Sequence, residues 1–402
     1  MSVLVTPGNC RSALAVTRSL GRRGIDVTIA DERSGLAAAS RYCQRSIRVP
    51  SPARAGAAFV RAIQAEVRQR GHRVLIPADD ITLSMVAQAR PELEDATTLP
   101  FPDVDTIQLA HDKAAVMSLA VDLGIPVPKT VVVQDSIDTR SVIRRVGLPA
   151  VVKPRFSKFL SGGQWKSGSP VSYVHTAAEL EAACRAAQAI APFPLVQEFV
   201  PGEGRGVFLL MNRGQLRVAF AHRRLREKPP GGGVSVLSES VELEPELLGY
   251  AERILHGLKW HGVAMVEFKR DIRDGTTKLL EINGRFWGSL QLAVDAGVDF
   301  PYLLYRLATE GDVEPILTYH IGRRLRWWLG DIDWLLLRLR EHTGLMGRIG
   351  ALTEFARSAG PRTRGEVLRP DDPVPACLEL VQYTTAAVAG AARRLRRRLE
   401  RR

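Results

Sequence analysis

Two stretches of this chain carry residue types that chemistry needs. Residues 263–269 read Val-Ala-Met-Val-Glu-Phe-Lys, and residues 278–285 read Lys-Leu-Leu-Glu-Ile-Asn-Gly-Arg. Asp274-Gly275 between them is a turn pair, so the two runs predict a hairpin. Side chains alternate along a strand, which puts Glu281, Asn283 and Arg285 on one face and turns Leu280 and Ile282 into the core. Folding about Asp274-Gly275 sets Glu267 opposite residue 282, within one residue of Glu281. Two carboxylates and an amide oxygen then converge beside a guanidinium. Hard oxygen ligands of this kind suit Mg²⁺ held jointly with phosphate groups. The guanidinium can grip a phosphoryl or carboxylate oxygen with two N–H donors. Taken alone, the pattern is also that of a solvated hairpin face.

Four other stretches add to this. Val151-Val152-Lys153-Pro154 ends an apolar strand on a lysine, and residues 157–170 follow with Gly162, Gly163 and Gly168 among serines. Glycines let backbone N–H groups approach anionic oxygens closely. Residues 195–204 run Leu-Val-Gln-Glu-Phe-Val-Pro-Gly-Glu-Gly, a strand entering a Pro-Gly turn. His111-Asp112-Lys113 opens a helix. Residues 222–228, His-Arg-Arg-Leu-Arg-Glu-Lys, precede a Pro/Gly-rich loop at 229–233. That basic strand end suits a second anion, with Arg224 or Lys228 as its holder. No GxxxxGK[ST] occurs, and no GxGxxG follows the first strand, so the usual nucleotide fingerprints are absent.

The elements that must position these residues divide the chain. Over residues 1–102 apolar strands at 2–6, 26–30 and 74–76 alternate with helical patterns, which predicts an open parallel α/β domain. Pro7-Gly8-Asn9 and Ala78-Asp79-Asp80 follow the first and third strands, where such sheets bind ligands; turn chemistry explains them as well. A helical linker fills 103–130, with one helix over 104–123. Residues 131–196 and 197–312 are richer in strands, an α+β grammar. Residues 313–402 read as a helical, basic extension.

The order of these pieces resembles the ATP-grasp superfamily, in particular carboxylate–amine ligase-like proteins related to carbamoyl phosphate synthase. The resemblance covers about residues 1–312. It implies an ATP-grasp fold, α/β plus α+β: an N-terminal open parallel domain, two ATP-clasping α+β subdomains and here a helical C-terminal extension. It implies ATP and Mg²⁺ (or Mn²⁺) as cofactors. Lys113 and Lys153 match the lysines on the ATP phosphates, and Gly162, Gly163 and Gly168 match the loop that covers them. Glu198, Phe199 and Val200 match the hinge beside adenine. Glu267, Glu281 and Asn283 match the metal ligands, and Arg285 the arginine that steadies the transferred phosphoryl group. The ribose acid is usually placed a little further on than Glu203, and Gly284 stands where the family often has proline. The implied activity joins a small carboxylate to an amine through an acyl phosphate, with ADP and phosphate released. Lys153, Arg285 and Arg224 are assigned to the reacting groups, Lys228 to the nucleotide. Two alternatives are a nucleotide-binding, membrane-associated adaptor without turnover, and a bicarbonate-using carboxylase with a separate partner.

Composition bounds the rest. The 402 residues are 45% hydrophobic and 25% charged, which excludes disorder as the main state. No 18-residue apolar run predicts a membrane helix, and the N-terminus reads as a strand rather than a leader, so a cytoplasmic protein is expected. The four cysteines, Cys10, Cys43, Cys184 and Cys377, form no CxxC and predict neither a disulfide framework nor a zinc site. Net charge is +13, of which residues 321–402 hold +8 with 17 Arg and no Lys. Their Trp327-Trp328, Trp334 and flanking arginines fit a helix docked on the core, or one lying on an anionic membrane surface. No nucleic-acid motif accompanies the charge. A homodimer is compatible with the sequence.

Overall fold

The computed structural model describes residues 2–134, 137–230, 232–341, 344–358 and 360–399, the side chains of 391–399 excepted. Gly231 of the basic loop and the side chains of the arginine-rich tail lie outside the described residues. Ser2–Thr6, Asp26–Asp31 and Val74–Pro77 form the expected parallel sheet. A fourth parallel strand, Arg45–Arg48, adds to its edge beside Asp26–Asp31. That strand has one apolar residue, Ile47, and so lacks the periodicity that would announce it.

The single helix expected over 104–123 is two helices, Val104–His111 and Lys113–Asp122. Asp112 breaks them. Its backbone is extended, and its carboxylate accepts the Ala114 and Ala115 N–H groups at 3.0 and 3.3 Å. An aspartate cap satisfies amides that a helix start leaves open. Arg155 grips the same carboxylate at 2.5 Å, which ties the helix start to the strand that carries Lys153.

The next unit is a four-stranded antiparallel sheet, ordered Thr130–Val132, Leu195–Glu198, Ala150–Lys153, Ser172–Val174. Helices Thr139–Val146 and Ala177–Gln188 cover it around Val152, Leu180 and Val196. A separate hairpin, Lys158–Ser161 with Gln164–Ser167, turns at Gly162-Gly163. Their φ values of 58° and 73° are the left-handed pair a tight hairpin turn demands. The hairpin rests on the N-terminal domain: Trp165 donates its amide to the Ala53 carbonyl at 2.9 Å, and its indole N–H lies 3.2 Å from Met85 Sδ.

The largest sheet has seven strands, ordered Thr277–Asn283, Gly262–Asp271, Gly202–Asn212, Gln215–Lys228, Val234–Ser240, Arg324–Arg326, Thr363–Gly365. One face, with Val207, Leu209, Val266 and Phe268, packs on helices Lys113–Asp122 and Pro245–Gly257. The other, with Phe208, Phe220, Val263 and Met265, shares a core with the N-terminal sheet and helix Phe300–Glu310.

The last two strands correct the expectation that everything beyond residue 313 is helical. Arg324–Arg326 pairs with Val234–Ser240 and extends the large sheet. The arginines and tryptophans around it are used inside the molecule. Asp331, with no exposed surface, receives Arg226 and Arg326 at 2.6 Å each. Arg326 is sandwiched at about 4 Å by the Trp328 and Phe355 rings, while Trp334 lies 4.7 Å from Arg226. Arg18 similarly meets Asp372 at 2.8 Å and the Val367 carbonyl at 2.8 Å. Docking on the core is thus realised. The helices past Trp327 are Trp328–Glu341, Leu345–Arg357 and Val374–Leu399. All four cysteines are free, and among the described residues no helix is long and apolar enough to cross a membrane.

Replacing Asp331 by Ala leaves two buried guanidiniums without a counter-charge. The expected cost is about 3–5 kcal/mol of stability, read as a lowered urea midpoint in the full chain.

Candidate active site

The acidic residues emerge where the core of the large sheet stops. Along Gly262–Asp271 the inward positions run Val263, Met265, Glu267, so the third lies beyond the apolar packing. Glu267 stands opposite Glu281, not residue 282. A β-bulge after Glu267 passes over Leu280 and moves the register by one. The core residues of the return strand are therefore Leu279 and Ile282, and Leu280 is only half-buried, contrary to the simple alternation. The bulge makes the two carboxylates direct neighbours.

The row continues across the sheet: Glu281, Glu267, Gly206, His222. Gly206 is needed there, since a Cβ would come within 2.8 Å of the His222 ring. His222 is buried, and among the described residues neither ring nitrogen has a hydrogen-bond partner. Burial, reinforced by Arg224 and Arg205, holds its pKa well below the usual range, so the ring is neutral.

Four cations surround the acids. Arg224 reaches Glu267 at 2.5 Å and Glu227 at 3.0 Å. Lys113, at its helix start, lies 3.7 Å from Glu281 and donates to Ser157 Oγ at 2.7 Å. Lys153 is buried, its Nζ 3.5 Å from the Leu280 carbonyl. Arg285 reaches Asp80 at 3.0 Å and Asn283 Oδ1 at 3.4 Å. Asn283 in turn donates to Glu281 at 3.0 Å.

Burial raises the Glu267 pKa and the Glu281 charge adds to it, against the pull of Arg224. Burial also opposes the charge on Glu281, but Lys113, Lys153 and the Asn283 amide together hold its pKa below the ordinary carboxylate range. Lys153 is brought down to about 8, first by burial and then by Lys113.

The other expected residues are spread around this centre. Gly162 and Gly163 form the turn of the small hairpin. Gly168 closes its base, where a Cβ would strike the Phe156 carbonyl at 2.5 Å. Glu198 is ion-paired with Lys278. The Glu198 and Phe199 amides donate to the Lys129 and Pro149 carbonyls. The Phe199 ring meets Tyr173 at 5.8 Å and Lys269 at 5.5 Å, and Val200 is buried. Glu203 lies 3.4 Å from Arg205. Lys228 is not brought to the cluster. It pairs with Asp333 and lies 5.3 Å from the Trp327 ring. Register shifts around Arg226 put Arg224 and Glu227 on the site side, and Arg226 and Lys228 on the side of the C-terminal helices. Asp80 as the partner of Arg285, and site roles for Glu227, Ser157 and Lys269, are not legible in the stretches that contain them. Only a contact map could supply them, because each partner is distant in sequence or displaced by a bulge.

Residues 191–327 match a family described as "ATP-grasp in the biosynthetic pathway with Ter operon". In overall shape the chain is similar to the biotin carboxylase of Campylobacter jejuni, solved as a β,γ-ATP complex. The TM-score is 0.65 at 15% identity, over 80% of this chain and 74% of that one. The chain has the ATP-grasp fold. Among curated relatives it is 29% identical over 192 residues to the N5-carboxyaminoimidazole ribonucleotide synthase of Pseudomonas aeruginosa, 47% of this chain and 50% of that protein. It is 31% identical over 180 residues to a probable alpha-L-glutamate ligase of Xanthomonas oryzae pv. oryzae, 43% of this chain and 58% of the relative. The matches thus span half to somewhat over half of these relatives. Within the fold, the charged cluster lies where the large sheet faces the Lys153 strand and the N-terminal domain.

An anion held by Lys153 needs its protonated form. ATP affinity, measured by calorimetry, should be greatest below pH 8 and weaken as pH rises above about 8. A Lys153→Met variant should bind more weakly and lose that dependence.

Proposed function

We propose that this chain is an ATP-dependent ligase that activates a carboxylate as an acyl phosphate and couples it to an amine. The observation that carries the reading is the neighbouring pair Glu267 and Glu281, enclosed by Lys113, Lys153, Arg224 and Arg285. Such an array handles a polyphosphate together with a divalent cation, because it supplies anionic oxygen and cationic donors within one partly buried site. The names of the relatives, one of them a probable alpha-L-glutamate ligase, support an ATP-using C–N bond-forming enzyme.

Among the described residues no cluster of three His, Cys, Asp or Glu forms a metal centre. The available donors are two carboxylates and the Asn283 amide oxygen, a hard set that fits Mg²⁺ completed by phosphate oxygens. Arg224 and Lys113 neutralise those carboxylates in this structure. Bound Mg²⁺ would supply charge neutralisation on the phosphates.

The chain's own groups do the remaining work. Lys113 and Lys153 hold phosphate oxygens, and the Gly162-Gly163 hairpin excludes water from them. The substrate carboxylate oxygen attacks the γ-phosphorus, and the bond to the ADP oxygen breaks. Arg285 and Arg224 stabilise the charge that shifts during transfer. The amine nitrogen then bonds to the acyl carbon as the carbon–oxygen bond to phosphate breaks. Phosphate leaves with the electron pair, and the protons lost by the amine pass to phosphate and solvent. Glu198, Phe199 and Val200 form the adenine side, with Glu203 and Lys269 near it.

Replacing Glu281 by Gln should lower ATP-dependent product formation by about a hundredfold or more, with the melting temperature nearly unchanged. The assay is phosphate release with pools of amino acids, with mass spectrometry of the condensed products. Unchanged turnover would remove the reading. A carboxylated product formed from bicarbonate would favour the carboxylase instead.

A second, independent reading concerns the C-terminal helices. Leu345, Met346, Ile349 and Leu352 form an exposed stripe, Met346 80% exposed, on a segment of net positive charge. This supports contact with an anionic membrane surface. Co-sedimentation with phosphatidylserine vesicles that is lost in Met346→Glu is the expected result. Dimers seen by light scattering, without vesicle binding, would assign the stripe to a second copy.

A further inference from the structure

A cleft of about 610 Å³ lies next to the charged cluster. Asp80 and Lys158 line both this cleft and the small cavity that holds Lys113, Glu281 and Asn283. Arg285 opens into it as well. The near wall is the turn after the first strand together with Asp79. On the far wall Glu379, Gln382 and Tyr383 come from helix Val374–Leu399, beyond the matched residues 191–327, at the i, i+3 and i+4 positions that share one helix face. Trp327 completes that wall.

The cleft is lined by three cations, Arg11, Lys158 and Arg285, and three carboxylates, Asp79, Asp80 and Glu379, which do not all pair with one another: Lys158 donates to Ser167 Oγ at 2.7 Å. Arg285 is answered by Asp80, and Arg11 by the buried Glu366. Asp79 spends one oxygen on the Thr82 amide and hydroxyl, both at 2.7 Å. Glu379 spends one oxygen on the Trp327 indole N–H at 2.8 Å. Among the described residues neither carboxylate is in an ion pair. Burial raises the pKa of each, against the weaker pull of Arg285 on Asp79 and of Arg11 on Glu379. Both carboxylates stand in a cleft that shares Asp80 and Lys158 with the cavity of the reacting centre.

We infer that this cleft receives the amine acceptor as an ammonium-bearing small molecule, and that Glu379 of the C-terminal extension selects for its positive charge. The inference rests on the ligase reading. It assigns the extension a place in the substrate site.

The test separates the two half-reactions in the full-length protein. Wild type, Glu379→Gln and Gln382→Lys are each given ATP, Mg²⁺ and a pool of amino acids. Acyl phosphate is trapped with hydroxylamine, a small neutral nucleophile, and coupling to the pooled amines is followed by mass spectrometry. The glutamine at 379 retains an oxygen for the Trp327 N–H, and the lysine at 382 places a cation on the same helix face. The expected result is that both substitutions lower the ratio of amine coupling to hydroxamate by about tenfold or more, through KM for the amine. An unchanged ratio in both variants overturns the inference while leaving the ligase reading intact. Absence of ATP-dependent hydroxamate in wild type overturns the ligase reading, and this inference with it.

Discussion

Two carboxylates facing each other in a partly buried sheet row are the constraint on which this structure turns. Glu267 and Glu281 repel, and burial penalises both charges. Such a pair persists only if cations are brought to it from elsewhere. Lys153 comes from the smaller sheet, Lys113 from a helix start in the linker, and Arg224 from the next strand but one in the large sheet. Arg285 follows the same return strand and is turned by Asp80 of the N-terminal domain. The domains therefore meet where the charge is densest.

The local devices around this pair serve it. Asp112 interrupts a helix so that Lys113 starts a new one, and Arg155 ties that start to the Lys153 strand. The bulge at Leu280 brings Glu281 level with Glu267. Gly206 leaves room for the neutral His222 ring in the same row. Each device costs some regular hydrogen bonding or packing, and each lies within the charged cluster or at its border.

The C-terminal extension is joined to the core by the same physics, buried arginine–aspartate pairing with aromatic stacking. Asp331 holds Arg226 and Arg326, and Asp372 holds Arg18. These anchors fix the strand that carries Arg224 on its opposite side and set helix Val374–Leu399 against the N-terminal domain. The arginine richness that looks like a surface property is thus partly an interior one.

The residue types of the site were legible from the chain alone. Period-two alternation placed Glu281, Asn283 and Arg285 together, and a turn pair brought Glu267 close, because strand geometry and turn chemistry are local. The order of the motifs pointed to the ATP-grasp fold that the structure has. Tertiary structure decided the rest. A bulge corrected the register by one residue, and irregular pairing around Arg226 sent Lys228 to Asp333 instead of toward the anion site. Asp80, Glu227 and Ser157 became partners of site residues through contacts that no spacing rule contains. Basic and aromatic composition beyond residue 313 favoured a docked helix but left a membrane surface open. Asp331 and Asp372 settled much of that segment into the protein, because their partners lie 105 and 354 residues away. A pattern can specify what a strand offers on each face, but long-range pairing energy determines what meets it.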